Sequence, residues 1–341
     1  MTTVSGVKGS KPLLSRRAML AMSAAAMVAR PTSGFAASTM PSALEKRETI
    51  TVAVQEKAGH MAALYLVGKS LDKMNISYNP VLFQRYPDSR TAILSGSVDL
   101  GSTGAAQVIQ DVAGGGTELI ALQGVAALKL YPIVRQGIEV KTWEDLKGKT
   151  IGVGVGGNAW TAFVAKLKET PIAYTDLKPV GIQGSGQNFN LALRRGDIDV
   201  SVCWSPFVEQ ALVDKIGYAP PALEFSYNKT TGPDQGMWVT TRQGIKTKKE
   251  LIRRFIWAYN YSVAQLNGSK PLKLEAIENF TGTAPAVAEL TSDWITYGNF
   301  VTQEYMAATA KLMADLGIVS KDVSGDMINH YDMSLYNEAV G

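Results

Sequence analysis

The chain has 341 residues, 46% of them apolar and 19% charged, which is ordinary for a globular protein with room for two domains. Five of its positive charges lie in the first 36 residues, which contain no acid, and without them the net charge falls from +4 to −1. The basic balance therefore gives no reason to expect nucleic acid as a partner. A single cysteine, Cys203, excludes an intrachain disulfide and a cysteine-based metal cluster.

Residues 1–36 have the three parts of a cleaved export signal. A basic start is followed by an apolar run at 18–29 that is too short to span a membrane, and small residues allow cleavage after Ala36. Arg16 and Arg17 resemble the twin-arginine export motif, and a general secretion signal that contains two arginines is the alternative. By either the twin-arginine or the general secretion machinery the chain would be exported, so we expect a soluble periplasmic protein. Residues 37–48 then form a polar linker.

A block of sequence occurs twice, one hundred residues apart. Residues 92–100 and 192–200 each read as the end of an amphipathic helix, a glycine that can cap it, and a short apolar strand. An upstream strand also recurs, at 49–55 and 150–156. Each copy leads through a helix into a second strand, predicted at 78–83 and 177–182. Two βαβαβ units predict two α/β lobes, and a cleft between two lobes is a usual place to hold a small molecule.

The segments between and after the repeats indicate how the lobes are connected. Residues 131–134 predict a strand that leaves the first lobe, and residues 236–240 predict a strand that returns to it. Between them, 142–149 predicts a short helix and turn. From Thr247 onward the spacing of apolar residues predicts helices. After the first of these, helices are predicted at 273–280, 284–295, 302–316 and 326–336.

Two crossings between the lobes predict a hinged clamshell. On this interpretation, residues 49–137 and 238–341 form lobe one, which is discontinuous along the chain. Residues 138–237 form lobe two.

Three stretches resemble a known family: Leu94–Asp99, Asp145–Val153, and Gly196–Val200 running into Trp204–Phe207. In order and spacing they resemble the nitrate/sulfonate/taurine-type substrate-binding proteins of ABC importers, over about residues 49–265. The resemblance implies a type II-like periplasmic-binding-protein clamshell, with a mostly parallel sheet flanked by helices in each lobe. It also implies that the partners are a small-molecule ligand, the importer's membrane permease and its ATPase. We expect a monomer without a cofactor or metal.

In a parallel α/β sheet, ligands lie beyond the carboxyl ends of the strands, where helix N-termini present unpaired N–H groups. Gly156, Gly157 and Asn158 follow such a strand and predict an anion-binding turn, with an ordinary tight turn as the alternative. Trp204 also ends a strand, and its counterpart in the resembled family commonly lines the ligand cleft. The alternative is that Trp204 lies in the core of lobe two, because a tryptophan side chain is usually mostly buried. The full set of predicted ligand-binding residues is Gln55, Lys57, His60, Thr103, Gly104, Gly156, Gly157, Asn158, Trp160, Trp204 and Trp238.

Several of these positions have a second interpretation. Lys57 is typical of a solvated charge, and so is Arg85, which lies outside the set. His60 equally suits the start of a surface helix. Trp160 and Trp238 are each as typical of packing beneath a helix or hinge as of a cleft.

Three tryptophans at the cleft would favour a ligand larger than nitrate, with an apolar or aromatic body and an acidic group such as a sulfonate or carboxylate. Tyr86, Asn188 and Tyr227 extend the predicted pocket. An enzyme on the same scaffold is the alternative, since relatives include a desulfinase with a nucleophilic cysteine and a thiamine-pyrimidine synthase with a Cys-rich motif. This chain has neither feature, and we predict no catalytic residue. A sensory binding protein is a third possibility.

Overall fold

The structure is a computed structural model that describes residues 39–233 and 235–341. The predicted export signal, its cleavage site and the start of the linker lie outside these residues. Within the described part of the chain, no helix is long and apolar enough to cross a membrane.

Two five-stranded sheets organise the described residues. The first has the order β2-β1-β3-β11-β4, and the second has the order β8-β7-β9-β6-β10. The strands of the first sheet are β1 Glu48–Gln55, β2 Ile76–Phe83, β3 Leu100–Thr103, β4 Leu119–Gly124 and β11 Met237–Thr241. Those of the second are β6 Ile133–Arg135, β7 Thr150–Val153, β8 Lys178–Gly181, β9 Val200–Val202 and β10 Gly217–Tyr218. A short antiparallel pair, β5 Ala126–Leu128 and β12 Ile295–Tyr297, stands apart from both.

The two sheets have the same spatial order of strand directions. In the first, β11 runs antiparallel to both of its neighbours, β3 and β4. In the second, β6 runs antiparallel to β9 and β10. The other four strands of each sheet share one direction, which confirms the mostly parallel sheets of the predicted clamshell. We call the first sheet with its helices the first lobe, and the second sheet with its helices the second lobe.

Helices cover the sheets and form most of the C-terminal third. Their bounds are α1 Val67–Lys73, α2 Tyr86–Leu94, α3 Ala105–Ala113, α4 Asn158–Leu167, α5 Gln187–Arg195, α6 Phe207–Val213, α7 Arg242–Gly268, α8 Lys270–Thr281, α9 Pro285–Trp294, α10 Gln303–Asp315 and α11 Ser334–Val340. Short 3₁₀ helices lie at Gly59–Leu66, Glu144–Leu146, Tyr174–Asp176, Pro221–Leu223 and Ser324–His330.

The sequence repeat is also a repeat of side-chain contacts. Asp99 accepts a hydrogen bond from the backbone N–H of Thr51 at 2.8 Å, and Asp199 accepts one from the backbone N–H of Thr150 at 3.1 Å. Each carboxylate is also ion-paired with a cation, Lys248 for Asp99 and Arg135 for Asp199. Over residues 91–100 and 191–200 the order of buried and exposed positions is identical. The repeated block therefore ties the third strand of each unit to the first.

Each lobe has its own apolar core. In the first lobe, Ile109 of α3, Val239 of β11 and Met306 of α10 belong to one buried cluster. In the second lobe, Phe189 and Leu193 of α5 pack with Cys203. Cys203 is buried there and packs as a small hydrophobic residue.

One predicted lobe boundary and one predicted helix differ from the structure. The chain enters the second sheet at β6, because residues 133–135 pair with β9 and β10; the predicted division at 137/138 falls just after this strand. The helix predicted at 326–336 is broken, because Tyr331 forms a bridge with Ala121 and the N–H of Asp332 donates to the carbonyl of Ala121. A 3₁₀ helix and α11 take its place.

We expect Asp199→Ala to lower the free energy of unfolding by about 1–3 kcal/mol, because Thr150 and Arg135 lose a charged hydrogen-bond partner. Partial burial raises the pKa of Asp199, but its hydrogen bonds with Thr150 and Arg135 hold it below the usual range overall. Urea denaturation of the two proteins measures the difference. Asp197→Ala is the matched control, since Asp197 is exposed two residues away. Equal losses in both variants would contradict the proposed tie.

Candidate functional site

A cavity of about 120 Å³ lies between the two lobes. Its walls are the segments that follow the carboxyl ends of β1, β2, β7, β8 and β9, together with parts of α2 and α3. One buried water needs about 10–15 Å³ on this measure, so the space suits a small organic molecule. The lining residues are Gln55, His60, Gln84, Arg85, Tyr86, Pro87, Gln107, Gly154, Val155, Gly156, Gly157, Asn158, Ala159, Ile182, Gln183, Gly184, Phe189, Trp204 and Gln235.

Side chains of the first lobe reach across to the second at this cavity. The Nε2 of Gln107 donates to the carbonyl of Gly156 at 3.0 Å, and the Nη1 of Arg85 donates to the Oε1 of Gln183 at 3.2 Å. Gly104 of the first lobe lies against Asn158 of the second, because a Cβ at position 104 would stand 2.1 Å from the Oδ1 of Asn158. A glycine at 104 therefore lets the two lobes meet.

A chain of hydrogen bonds fixes the tautomer of His60. The hydroxyl of Tyr86 lies 2.9 Å from the carbonyl oxygen of Gln235 and must donate to it, since a carbonyl only accepts. The Nε2 of His60 lies 2.8 Å from the same hydroxyl, so Nε2 carries the proton of this contact. Burial lowers the pKa of His60 to about 3. His60 is therefore neutral at pH 7, and its Nδ1 is a hydrogen-bond acceptor.

Aromatic rings hold Trp204 in place at one wall. Its ring meets Phe189 at 5.7 Å and Phe207 at 5.9 Å between centroids, both edge to face. Trp204 is only partly buried and lines the cavity. A side chain fixed by two neighbours while part of it borders open space is suited to stacking against a flat ligand.

The structure brings together about half of the predicted site residues. Gln55, His60, Gly156, Gly157, Asn158 and Trp204 all line the cavity.

The other five predicted residues lie elsewhere. Thr103 is buried and donates to the carbonyl of Tyr86, and Gly104 lies at the lobe contact. Lys57 lines a separate groove with Arg194 and Asp214. Trp160 is buried and donates to the hydroxyl of Tyr174 at 3.1 Å. Trp238 is fully buried in the first lobe, edge to face against Phe255 and Tyr259.

The sequence interpretation missed most of the glutamines. Gln84 and Gln183 each follow the second strand of a repeat unit, so the repeat itself could have pointed to both of them. Gln107 and Gln235 carried no local signal. Of the three residues expected to extend the pocket, Tyr86 lines the cavity. Asn188 instead donates to the carbonyl of Gln183, and Tyr227 is exposed.

A family model described as "NMT1/THI5 like" matches residues 81–269, which is more than half of the chain. The chain belongs to the NMT1/THI5-like family. A comparison with curated proteins finds none that matches.

Solved structures show the same fold. The alkanesulfonate-binding protein SsuA from Xanthomonas axonopodis pv. citri, bound to MOPS, is similar with a TM-score of 0.71 and 19% identity, covering 86% of this chain and 99% of that one. The periplasmic nitrate-binding protein NrtA from Synechocystis PCC 6803 gives 0.72 and 10% identity, covering 85% and 88%. A DszB mutant in complex with biphenyl-2-sulfinic acid gives 0.61 and 14% identity, covering 86% and 99%. The chain therefore has the periplasmic-binding-protein fold, and the resemblance seen in its sequence is confirmed.

A buried carboxyl group lies in the second lobe, on the helix that follows Trp204. Glu209 of α6 is 1% exposed and accepts a hydrogen bond from the hydroxyl of Ser205 at 2.8 Å. The carbonyl of Ser205 accepts from the backbone N–H of Gly59, a contact between the lobes. Burial raises the pKa of Glu209 to about 7.

We expect Glu209 to make the fold less stable as pH rises. Between the ordinary pKa of a glutamate, 4.5, and about 7, the folded chain keeps the Glu209 proton that the unfolded chain releases. The contribution of Glu209 to the free energy of unfolding is therefore complete below pH 4.5 and is lost as pH rises through about 7. Between about pH 5 and pH 8, Glu209→Gln should gain about 2–3 kcal/mol in unfolding free energy relative to the wild type. Burial lowers the pKa of His60, so His60 changes the free energy of unfolding with pH in the opposite direction. Because both proteins contain His60, its contribution cancels when their free energies are subtracted. Glu118→Gln, at an exposed position, is the control. If the free energy of unfolding changes with pH in the same way in Glu209→Gln and in the wild type, the prediction is wrong.

Proposed function

We propose that this chain is an exported solute receptor of an ABC importer, which binds a small organic molecule between its two lobes and delivers it to the permease and its ATPase. The observation that carries the proposal is the cavity at the carboxyl ends of parallel strands from both lobes, bridged by Gln107 and Arg85. A ligand in this position contacts both lobes, so its binding energy favours the closed arrangement.

The comparisons support this proposal. The structures of SsuA and NrtA are named for binding an alkanesulfonate and nitrate, and both share the fold over most of their length. The fold shared with these periplasmic proteins also supports a periplasmic location. From the sequence we further propose that the chain is exported through the twin-arginine or the general secretion route and is a monomer. The sequence also predicts an acidic group on the ligand. The feature that favours it is the N-terminus of α4, which follows Gly157 at the cavity.

An enzyme is the weaker proposal. Catalysis by a nucleophile needs an activated group within reach of a substrate. Cys203 is buried in the core of the second lobe, and burial raises the pKa of its thiol. The neutral His60 is hydrogen-bonded to Tyr86 and is a poor base at pH 7, because burial lowers its pKa to about 3. These environments favour binding over chemistry.

The function is tested by Trp204→Ala. A thermal-shift screen of sulfonates, carboxylates, amides and heterocycles first selects a ligand, since a molecule that binds the native state raises its melting temperature. Loss of the aromatic ring that stacks on the ligand should then weaken binding by about 1–3 kcal/mol, which is roughly fivefold to 150-fold in Kd. Folding should survive, because Trp204 is only partly buried.

Trp143→Ala is the matched control. Trp143 is also partly buried in the second lobe, where it packs on Phe163 and lines no part of the cavity. Its loss should leave the Kd unchanged. A Trp204→Ala protein that melts far lower and binds normally would remove Trp204 from the site. Conversion of the ligand by the wild type, seen by mass spectrometry, would overturn the receptor proposal.

A further inference from the structure

The cavity between the lobes is lined by amides rather than by charges. Five of its described lining residues are glutamines and one is an asparagine, whereas none is a lysine, an aspartate or a glutamate. The cation Arg85 is ion-paired with Asp88 at 3.2 Å and also donates to Gln183. This part of the structure therefore offers donors and acceptors without an uncompensated positive charge.

Two residues that line this cavity, His60 and Gln107, each have a buried acceptor atom with no hydrogen-bond partner among the described residues. The first is the Nδ1 of His60, a residue that is 2% exposed. The hydrogen bond with Tyr86 places the ring proton on Nε2, so Nδ1 has a lone pair and no proton.

The second acceptor is the Oε1 of Gln107, a residue that is 1% exposed. The amide cannot be turned round, because its other end faces the carbonyl of Gly156 and must therefore be the NH₂ group. A buried acceptor without a donor costs free energy comparable to a lost hydrogen bond. A ligand that donates hydrogen bonds removes this cost.

An anion fits these two atoms poorly. An ionised carboxylate or sulfonate only accepts hydrogen bonds, so it adds further acceptors beside His60 and Gln107. Burying its charge without a free cation also carries a large desolvation cost. The partial charge at the N-terminus of α4 is the opposing contribution, and it amounts to about half an elementary charge.

We propose that the cavity selects an uncharged aromatic molecule bearing N–H donors, such as a carboxamide or an amine, with its ring against Trp204 and its donors on His60 and Gln107. This inference rests on the proposed receptor function and replaces the acidic ligand that the sequence predicts.

Matched pairs of probes test the charge of the ligand. Nicotinamide and nicotinate, benzamide and benzoate, and benzenesulfonamide and benzenesulfonate differ mainly in that the first of each pair is an uncharged donor and the second an anion. Calorimetric titration of the mature protein should give the uncharged member of a pair a Kd at least about tenfold lower. That Kd should change less than about twofold between low and high salt, because screening acts only on charged partners.

Two variants test the acceptors. Gln107→Met keeps the length of the side chain and removes its amide, and His60→Phe keeps a ring and removes both nitrogens. Each should weaken the uncharged member about tenfold more than the anion of the same pair, because only the uncharged probe donates to the acceptor that is removed. Gln110→Met, one turn further along α3 and outside the cavity lining, is the control and should bind like the wild type. If His60→Phe fails to fold, Gln107→Met alone decides the matter.

The outcomes separate this inference from the receptor function. Tighter binding of the anions, or an uncharged probe that binds equally well to Gln107→Met, overturns the inference and leaves the receptor proposal standing. Binding of no uncharged probe also overturns the inference. The receptor proposal fails separately, when the wider thermal-shift screen finds no small molecule that binds or when the wild type converts the molecule that it binds.

Discussion

The carboxylates of Asp99 and Asp199 set the register on which the rest of the structure depends. Each one accepts a hydrogen bond from the backbone N–H of a threonine in the first strand of its unit, Thr51 or Thr150. This tie brings the carboxyl ends of β1 and β3, and of β7 and β9, to the same edge of their sheets. Because both lobes are built alike, the two edges can face each other and enclose one cavity.

The neutrality of that cavity follows from what surrounds each ionisable group. Burial keeps His60 uncharged, and Asp88 compensates Arg85. Hydrogen bonding is then the main means of recognition, through amide side chains that both donate and accept. Where the cavity excludes water, such contacts are stronger, since a polar group left unpaired there is costly. Selectivity can therefore come from the pattern of donors and acceptors rather than from charge.

The sequence was sufficient for the fold and for part of the site. The repeat of residues 92–100 at 192–200 predicted two similar lobes, because strand and helix patterns are local. It also located the loops after β1 and β7, and hence Gln55 and Gly156. It included the buried Trp238 in the site together with Trp204, since both tryptophans belong to apolar segments and only packing decides which one is buried. Gln107 was missed because its role depends on a contact with the other lobe. The predicted anionic ligand came from the turn at Gly156–Asn158 and from the resemblance to nitrate- and sulfonate-binding proteins, without knowledge of the groups that surround the turn.

A crystal structure of the mature protein with the tightest-binding uncharged probe tests the central claim most directly. The account predicts the aromatic ring against Trp204 and an N–H of the probe within about 2.7–3.2 Å of the Nδ1 of His60 or the Oε1 of Gln107. Both lobes should contact the probe. A probe found in the groove beside Lys57 and Arg194, or one that touches a single lobe, would contradict the account.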